Sequence, residues 1–402
     1  MTTLLPSEKI VKLKIDRQKS LLRHHPWVFS KAINKVIGNP NLEDIVTVVD
    51  DKDQFLGYGI YSPNSQIRIR VLSFDEKLVI EDNLISERIT NAINLRKKLI
   101  QRGNDGVRLV SSEGDLLSGL IVDKYNDFIV ISISSCAMEK FRDVIISTLK
   151  QIYPDFSIYE RSDTKSRLKE GLKERKGLIH GKLPDDIIYV KEENTIYIPV
   201  DIKNGHKTGA YLDQRLSRIK AGSLSKNATV LNCFSYTGGF GLWALKGGAT
   251  RIENIDVSEH ALDAAKKGVA YNHLDPGRCK FIKRDVFEYL REQVDKGIKY
   301  DLVILDPPKF AESASHLKKA CRGYQDINRL GLKLVNKGGR LLTFSCSGLV
   351  DANLFQKIVS DAALDANVDG RVISTLRQDE DHVVSLPCPE TFYLKGLEIA
   401  VL

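Results

Sequence analysis

An apolar strand runs directly into a glycine-rich turn in the segment TVLNCFSYTGGFG, residues 229–241. Glycines at a strand-to-helix turn let the backbone approach a ligand, and the helix that follows offers free N–H donors. The segment matches neither GxGxxG nor GxxxxGK[ST], so it carries neither a dinucleotide fingerprint nor a P-loop. Taken alone, the Gly-Gly pair is equally compatible with a plain tight turn.

Apolar strands alternate with helix-like stretches on both sides of this turn, from about residue 200 onward. The strands are predicted at 229–234, 251–256, 279–283, 301–306 and 340–345. The helices are predicted near 240–247, 258–271, 285–296, 313–337 and 351–363. This spacing indicates βαβ units in a largely parallel sheet with helices on both faces. Ligands of such sheets bind outside the carboxyl ends of the strands.

Acidic residues follow the second and third of these strands. Asp256 lies 17 residues after Gly239, close to the ~20-residue spacing at which an acidic side chain accepts ribose hydroxyls. Asp285 stands where it can accept from an adenine amino group, and it is also placed to cap the next helix. The two acids predict an adenine nucleoside, and at this point both NAD and a sulfonium cofactor remain open.

The fourth and fifth strands end in the segments LDPPKF, residues 305–310, and FSCSG, residues 344–348. Two prolines after Asp306 make a rigid turn with few donors, whose carbonyls face the ligand side of the sheet. Asp306 and Cys346 therefore end neighbouring strands on that side, although they are 40 residues apart in the sequence.

The first 75 residues contain short strands, at 8–15, 44–50, 55–62 and 66–73, separated by turn-forming segments such as GNPN and DDKD. This pattern predicts a small antiparallel barrel or sandwich. Alternation in QIRIRV places Arg68 and Arg70 on one face of the last strand. That face is either ordinary solvated surface or a nucleic-acid contact.

Residues 76–200 are predicted to form an α+β middle domain, with helices at 81–102 and 137–151 and strands at 107–112, 118–123 and 128–134. Its segment 161–182 has eight basic and three acidic residues, a local net charge of +5 within a chain total of +8. Such a segment is either a solvated linker or a phosphate-contacting element, and the concentration of charge favours the second. The candidate contacts are Lys165, Arg167, Lys169 and Lys173.

The composition of the 402-residue chain, 42% apolar and 28% charged, excludes disorder as its main state. No run approaches the ~18 apolar residues of a membrane span, and charges interrupt the amino-terminal segment where a signal peptide is apolar. The six cysteines include no CxxC pair. We therefore expect a cytoplasmic protein without a metal site or membrane partner.

Together these motifs resemble an S-adenosylmethionine-dependent methyltransferase: Asp-Pro-Pro after the fourth strand, the Thr-Gly-Gly turn and Asp256. The segment KTGAYLDQR, residues 207–215, resembles the part of such enzymes that leads into the sheet. DPPKF with FSCSG narrows the resemblance to the ribosomal large-subunit methyltransferase I family, which methylates C5 of a cytosine in 23S rRNA. HPWVF, residues 25–29, resembles the start of that family's RNA-binding PUA domain.

The resemblance covers essentially the full chain and implies its organisation: a PUA-like β-barrel at 1–75, the α+β middle domain at 76–200, and a Rossmann-like class I methyltransferase domain at 201–402. It implies an S-adenosylmethionine site formed by Gln214, Phe234, Tyr236, Thr237, Gly238, Gly239, Asp256, Val257, Ser258, Asp285, Val286 and Asp306. The implied RNA contacts are Arg68, Arg70, Lys165, Arg167, Lys169, Lys173 and Lys309.

Cytosine chemistry explains the pair Cys346 and Asp306. C5 is a poor nucleophile until a group adds at C6, and a thiolate does this well, so Cys346 is the candidate nucleophile. The alternative for Cys346 is a small packed hydrophobe. Asp306 is placed to bind the protonated N3. Many RNA cytosine-C5 enzymes have a second cysteine where this chain has Pro308 and Lys309, and the sequence does not reveal which group removes the C5 proton.

The expected partner is 23S rRNA, free or in a partly assembled subunit, and a homodimer stays an open alternative. Three other functions remain to be separated from cytosine methylation. Guanine N7 methylation keeps the cofactor and needs no nucleophilic cysteine. A non-catalytic ribosome assembly factor needs only the RNA contacts. A nicotinamide dehydrogenase is disfavoured because the glycine fingerprint is absent.

Overall fold

The computed structural model describes residues 9–310 and 313–402. The chain divides into two compact units. The first consists of Met1–Asp185, Ile202–Thr208 and Asp381–Thr391, and the second of Asp186–Asp201, Gly209–Glu380 and Phe392–Leu402. The first unit thus includes both the predicted amino-terminal domain, 1–75, and the predicted middle domain, 76–200, as far as Asp185. A hairpin that begins shortly after this residue packs on helices of the second unit.

The amino-terminal part of the first unit is a six-stranded sheet in the order β2-β6-β5-β4-β1-β3. Its pairs are antiparallel, except that β1 and β4 run parallel. The predicted strands are confirmed, although Glu8, the start of the first, lies outside the described residues. The elements are β1 (Ile10–Leu13), α1 (Lys19–Leu22), β2 (Trp27–Phe29), β3 (Ile33–Ile37), β4 (Ile45–Val49), β5 (Phe55–Tyr61) and β6 (Ile67–Ser73).

The rest of the first unit is an α+β layer around the five-stranded sheet β11-β10-β9-β8-β7. Its long helix α2 buries Ile85, Ile89 and Ile93, spaced so that they lie on one face against the sheet. The elements are α2 (Asp82–Gln101), β7 (Gly106–Ser111), β8 (Leu120–Tyr125), β9 (Phe128–Ile133), α3 (Cys136–Glu139), α4 (Arg142–Ile152), β10 (Ser157–Ser162), α5 (Lys165–Lys169) and β11 (Arg175–His180).

The basic segment at 161–182 forms regular secondary structure over much of its length. It holds the end of β10, the helix α5, and β11, which pairs antiparallel with β10. Because β11 is an edge strand with one neighbour, half of its residues are exposed and none is buried, and its sequence lacks the apolar run of a central strand.

The second unit contains a seven-stranded sheet in the order β16-β15-β14-β17-β18-β20-β19. The hairpin β12–β13 forms a separate two-stranded sheet. The first five strands are parallel, as predicted. The hairpin, α6, β19 and β20 were not predicted. The elements are β12 (Ile188–Glu192), β13 (Ile196–Val200), α6 (Arg215–Ser223), β14 (Thr229–Cys233), α7 (Gly239–Lys246), β15 (Arg251–Asp256), α8 (Glu259–Tyr271), β16 (Cys279–Lys283), α9 (Val286–Asp295), β17 (Tyr300–Leu305), α10 (Leu317–Leu334), β18 (Val335–Ser345), α11 (Ala352–Ala366), β19 (Gly370–Arg377) and β20 (Lys395–Val401).

The order and the register of the strands determine which residues lie together at the ligand side of this sheet. The chain crosses from β16 back past β14 to β17, so β14 and β17 form the topological switch point. Leu305 pairs with Thr343, which brings Asp306 and Cys346 to the same edge. β20 runs antiparallel, so its first residue, Lys395, pairs with Ser345 at that edge. Among the described residues, no helix combines the length and the apolar content that crossing a bilayer requires.

Candidate active site

Asp256 ties the glycine-rich turn to the end of β15. One carboxylate oxygen accepts from the Tyr236 N–H at 2.8 Å, and the other accepts from the Ser258 N–H at 2.9 Å. Each oxygen keeps a second lone pair, and the side chain is half-buried at the carboxyl end of its strand. Asp256 can therefore hold the turn in place and accept the two hydroxyls of a ribose.

The turn itself needs glycine for conformation and for packing. Gly238 has φ +79°, and a Cβ there would lie 2.7 Å from the Ala265 Cβ. A Cβ at Gly239 would lie 2.8 Å from the Arg218 side chain. The Gly-Gly pair thus allows α7 to begin directly after β14 and to pack closely on its neighbours.

Two buried polar side chains near the turn lack hydrogen-bond partners within the described residues. Gln214 is 3% exposed with both amide atoms unpaired, and Ser235 is 5% exposed with an unpaired hydroxyl. Leaving such groups unpaired costs about 1–3 kcal/mol each. Polar groups of a bound ligand can satisfy them, so the donors and acceptors present fit a nucleoside cofactor.

The segment that carries Gln214 is anchored on both sides. The Arg215 guanidinium pairs with Asp379, both fully buried. The Tyr393 hydroxyl donates to Asp213 at 2.6 Å. The Tyr236 hydroxyl donates to the Gly209 carbonyl at 3.1 Å. The Tyr236 contact ties this segment to the glycine-rich turn, and the other two contacts hold it within the second unit.

The remaining predicted cofactor residues have mixed environments. Thr237 is buried, and its hydroxyl donates to the Pro199 carbonyl at 3.1 Å. Ser258 and Asp285 cap α8 and α9, accepting from Ala261 and Glu288 N–H groups. The others differ in exposure: Phe234 is half-buried, Val257 is 65% exposed, and Val286 is 2% exposed within the core. Asp285 is exposed, so its capping role is compatible with a contact to adenine.

Asp306 and Cys346 are both half-buried at the ends of the adjacent strands β17 and β18. Two tyrosines that the sequence analysis did not single out lie close enough for both groups to affect their pKa values. Burial raises the pKa of Tyr211 well above its usual value, and the neighbouring Asp306 and Cys346 add to this. Burial likewise raises the pKa of Tyr324 to about 12, with smaller contributions from the same two groups.

The sequence analysis also missed a lysine, Lys395. Its side chain is 6% exposed, and its Nζ donates to the Ser347 carbonyl at 2.7 Å. Burial lowers its pKa to about 8, while the nearby Cys346 and Asp351 oppose that shift. No sequence motif marks this residue, because only the pairing of β20 with β18 brings it beside Cys346.

The other cysteines have environments that differ from a reactive site. Cys233 is fully buried, and burial raises its pKa strongly. Burial also raises the pKa values of Cys136, Cys279 and Cys388 to about 12. Thiols with raised pKa values are poor nucleophiles at neutral pH, so packing is the role that suits these four residues.

The predicted RNA contacts separate into exposed and buried groups. The side chain of Arg70 is 11% exposed and pairs with Glu113 and Glu170 at 3.2 and 3.1 Å. Arg167 is 1% exposed and pairs with Glu139 at 2.7 Å. Acidic partners inside the first unit pair with both guanidinium groups, so a phosphate would have to compete with these carboxylates, and the RNA contact of Arg70 and Arg167 stays a prediction.

The remaining candidates keep an outward position. Arg68 is half-buried and donates to the Ser62 and Pro63 carbonyls. The four lysines are exposed: Lys165, Lys169 and Lys173 in the basic segment, and Lys309 after β17. Phosphate binding by these residues stays a prediction.

Two family models match separate parts of the chain. A PUA-like domain model matches residues 11–74, and an S-adenosylmethionine-dependent methyltransferase model matches residues 184–365. Ribosomal RNA large subunit methyltransferase I of Tolumonas auensis is 50% identical over 98% of this chain and 99% of its own. The chain belongs to the ribosomal RNA large subunit methyltransferase I family. The Vibrio cholerae member is 49% identical over 96% of this chain and 98% of its own.

Solved structures support the fold of this family member. A SAM-dependent methyltransferase from Streptococcus mutans superposes with a TM-score of 0.84, covering 98% of this chain and all of that one at 23% identity. A methyltransferase complexed with SAH gives the same TM-score at 24% identity, covering 98% and 99% of the two chains. The cofactor of this methyltransferase is S-adenosylmethionine, as the resemblance implied.

Proposed function

We propose that this methyltransferase transfers a methyl group to C5 of a specific cytosine in 23S rRNA, with Cys346 bonding covalently to C6 of the base. The observation that carries the proposal is the position of Cys346. Cys346 is half-buried directly after β18, near Asp306 and a buried lysine. The names of the related proteins support a large-subunit rRNA substrate.

In the proposed mechanism, Cys346 and Asp306 at the strand ends each have a defined chemical role. The Cys346 thiolate adds to C6, a C–S bond forms, and the electrons of the C5–C6 double bond move to C5. Asp306 holds the protonated N3, which stabilises this electron-rich base. S-adenosylmethionine supplies an electrophilic methyl group when bound. A base then removes the C5 proton, the double bond re-forms, and the thiolate leaves.

Most of the residues that would hold the cofactor lie along the edge of the sheet from β16 to β17. Asp256 accepts from the ribose hydroxyls, and Asp285 accepts from the adenine amino group. Gln214 and Ser235 are the buried groups whose missing hydrogen bonds the ligand supplies. Asp306 closes the site next to Cys346, so the methyl donor and the base meet where β17 and β18 end.

The product of the reaction tests the proposal. Unmodified 23S rRNA is incubated with the wild-type protein and labelled S-adenosylmethionine, then digested to nucleosides. We expect the label in 5-methylcytidine. Label in 7-methylguanosine would replace cytosine with guanine as the target, and absence of transfer to free or partly assembled subunit RNA would favour the assembly-factor alternative.

The exposed lysines of the basic segment supply a separate prediction about RNA binding. Replacing Lys165, Lys169 and Lys173 by Gln removes three exposed charges while leaving the buried Arg167 pair intact. Each lost phosphate contact lowers the slope of log K against log salt by about 0.7–0.9, so we expect a slope lower by about 2–3. Fluorescence anisotropy with 23S rRNA fragments over a salt series measures it.

A matched control removes the same charge from another face of the same unit. Lys97 and Lys98 on α2 and Lys150 on α4 are equally exposed, and their triple Gln variant should keep the wild-type slope. Equal slopes for the wild type and both triple variants would show that the basic segment is ordinary solvated surface and does not contact RNA. Equal losses in both variants would show a response to net charge rather than a defined contact.

A further inference from the structure

Lys395 is a buried cation at the start of β20. It is 6% exposed, and within the described part of the chain it makes no ion pair with an Asp or Glu. One of its three N–H donors is used on the Ser347 carbonyl at 2.7 Å. A buried ammonium group is costly unless an anion compensates it, so this position calls for a nearby negative charge.

The backbone register shows which group can supply that charge. Lys395 pairs with Ser345 across the antiparallel β18–β20 ladder, and its Nζ reaches the carbonyl of Ser347. Cys346 is the residue between these two contacts. Asp351, whose charge acts on Lys395, already accepts the Leu354 N–H at 2.8 Å as the cap of α11.

We propose that Lys395 is a positioning residue whose ammonium group stabilises the thiolate of Cys346, with the Ser347 carbonyl fixing its direction. A cation beside a thiol favours the thiolate, which is the nucleophilic form. This inference rests on the proposed covalent role of Cys346 and adds the group that prepares the thiol for it.

Other ionisable groups around this pair set the pH range of the effect. The pKa of Lys395 is about 8 because the side chain is buried. Its charge is therefore present below pH ~8 and lost above it, so the thiolate is favoured in the neutral range. The groups that face Lys395 or Cys346 from the surrounding elements are Asp306, Lys309, Tyr211, Tyr324 and Asp351.

The test measures how fast iodoacetamide alkylates Cys346 between pH 5.5 and 9.5, resolved by peptide mass spectrometry on the full chain. Lys395→Gln removes the charge and keeps a donor for the Ser347 carbonyl. We expect its alkylation rate at pH 7 to be about tenfold below wild type, since a one-unit rise in thiol pKa lowers the thiolate fraction about tenfold. The difference between the two curves should shrink above pH ~8, where Lys395 of the wild type loses its charge.

Two further variants separate charge from structure. Lys395→Arg retains the cation and should stay within about threefold of wild type at pH 7. Lys220→Met removes a lysine that pairs with Glu398 on the same strand at 3.0 Å, and its curve should overlay wild type. Cys233, fully buried, reports folding because it stays unreactive in any folded variant.

Superimposable curves for wild type and Lys395→Gln would overturn the proposal. Should Lys395→Gln expose Cys233, the comparison moves to Lys395→Arg against Lys395→Met, judged by the same protection of Cys233. The measurement needs neither RNA nor methyl transfer. A guanine product would therefore contradict the proposed function without altering the alkylation curves, and the two failures are distinguishable.

Discussion

RNA that carries 5-fluorocytidine at the target position is expected to trap the wild-type protein as a denaturant-resistant protein–RNA band. Fluorine at C5 cannot leave as a proton, so elimination stops after methylation and the bond between the Cys346 sulfur and C6 persists. The band should require S-adenosylmethionine and should be absent for Cys346→Ala. Denaturing gels with end-labelled RNA measure it directly.

The control for this trap is another cysteine of the same sheet. Cys233 lies at the end of β14 but is fully buried, so Cys233→Ala should form the band at the wild-type level once its folding has been checked. A Cys346→Ala protein that still makes 5-methylcytidine near the wild-type rate would contradict the covalent mechanism. In that case Cys346 is a packed residue at the end of β18.

Loss of Asp256 is expected to have the largest effect on cofactor binding. Asp256→Ala removes two charge-assisted hydrogen bonds to the ribose, each worth about 1.5–3 kcal/mol. Together they correspond to an affinity for S-adenosylmethionine lower by about a hundredfold to ten-thousandfold. The substitution also frees the Tyr236 and Ser258 N–H groups that the carboxylate accepts, which adds to the loss. Isothermal titration calorimetry measures the affinity.

Two comparisons make the Asp256 result specific. Asp263 on α8 is exposed and pairs with its neighbour Lys266 at 3.0 Å, so Asp263→Ala should bind the cofactor as wild type does. Asp256→Asn keeps the size of the side chain, but only its amide oxygen can accept, so one of the two backbone donors loses its partner. We expect this variant to bind the cofactor poorly as well. Wild-type affinity in Asp256→Ala would remove this residue from the site.

Local patterns in the sequence were sufficient to predict the parallel sheet and to nominate the strand ends as the candidate site. The strands β14 to β18 are apolar runs at βαβ spacing, and the position of a residue at a strand's carboxyl end follows from the chain alone. The glycine turn, Asp256, Asp306 and Cys346 were found in this way. The segment 207–215 was recognised, but Tyr211 within it was not, because nothing in the pattern indicates where its ring lies.

The environments of charged side chains required the tertiary structure. Arg70 and Arg167 lie in sequence stretches that resemble a phosphate-binding surface, yet the fold brings Glu113, Glu170 and Glu139 against them. Lys395 stands in an unremarkable stretch near the carboxyl terminus, and an antiparallel strand places it across from Ser345. Strand and helix periodicity is a property of neighbouring residues, whereas the partner of a charge is chosen by which distant segments pack together. The sequence by itself therefore determined the sheet and the residues at its edge, and the tertiary structure decided which of the basic residues face solvent and which are paired or buried.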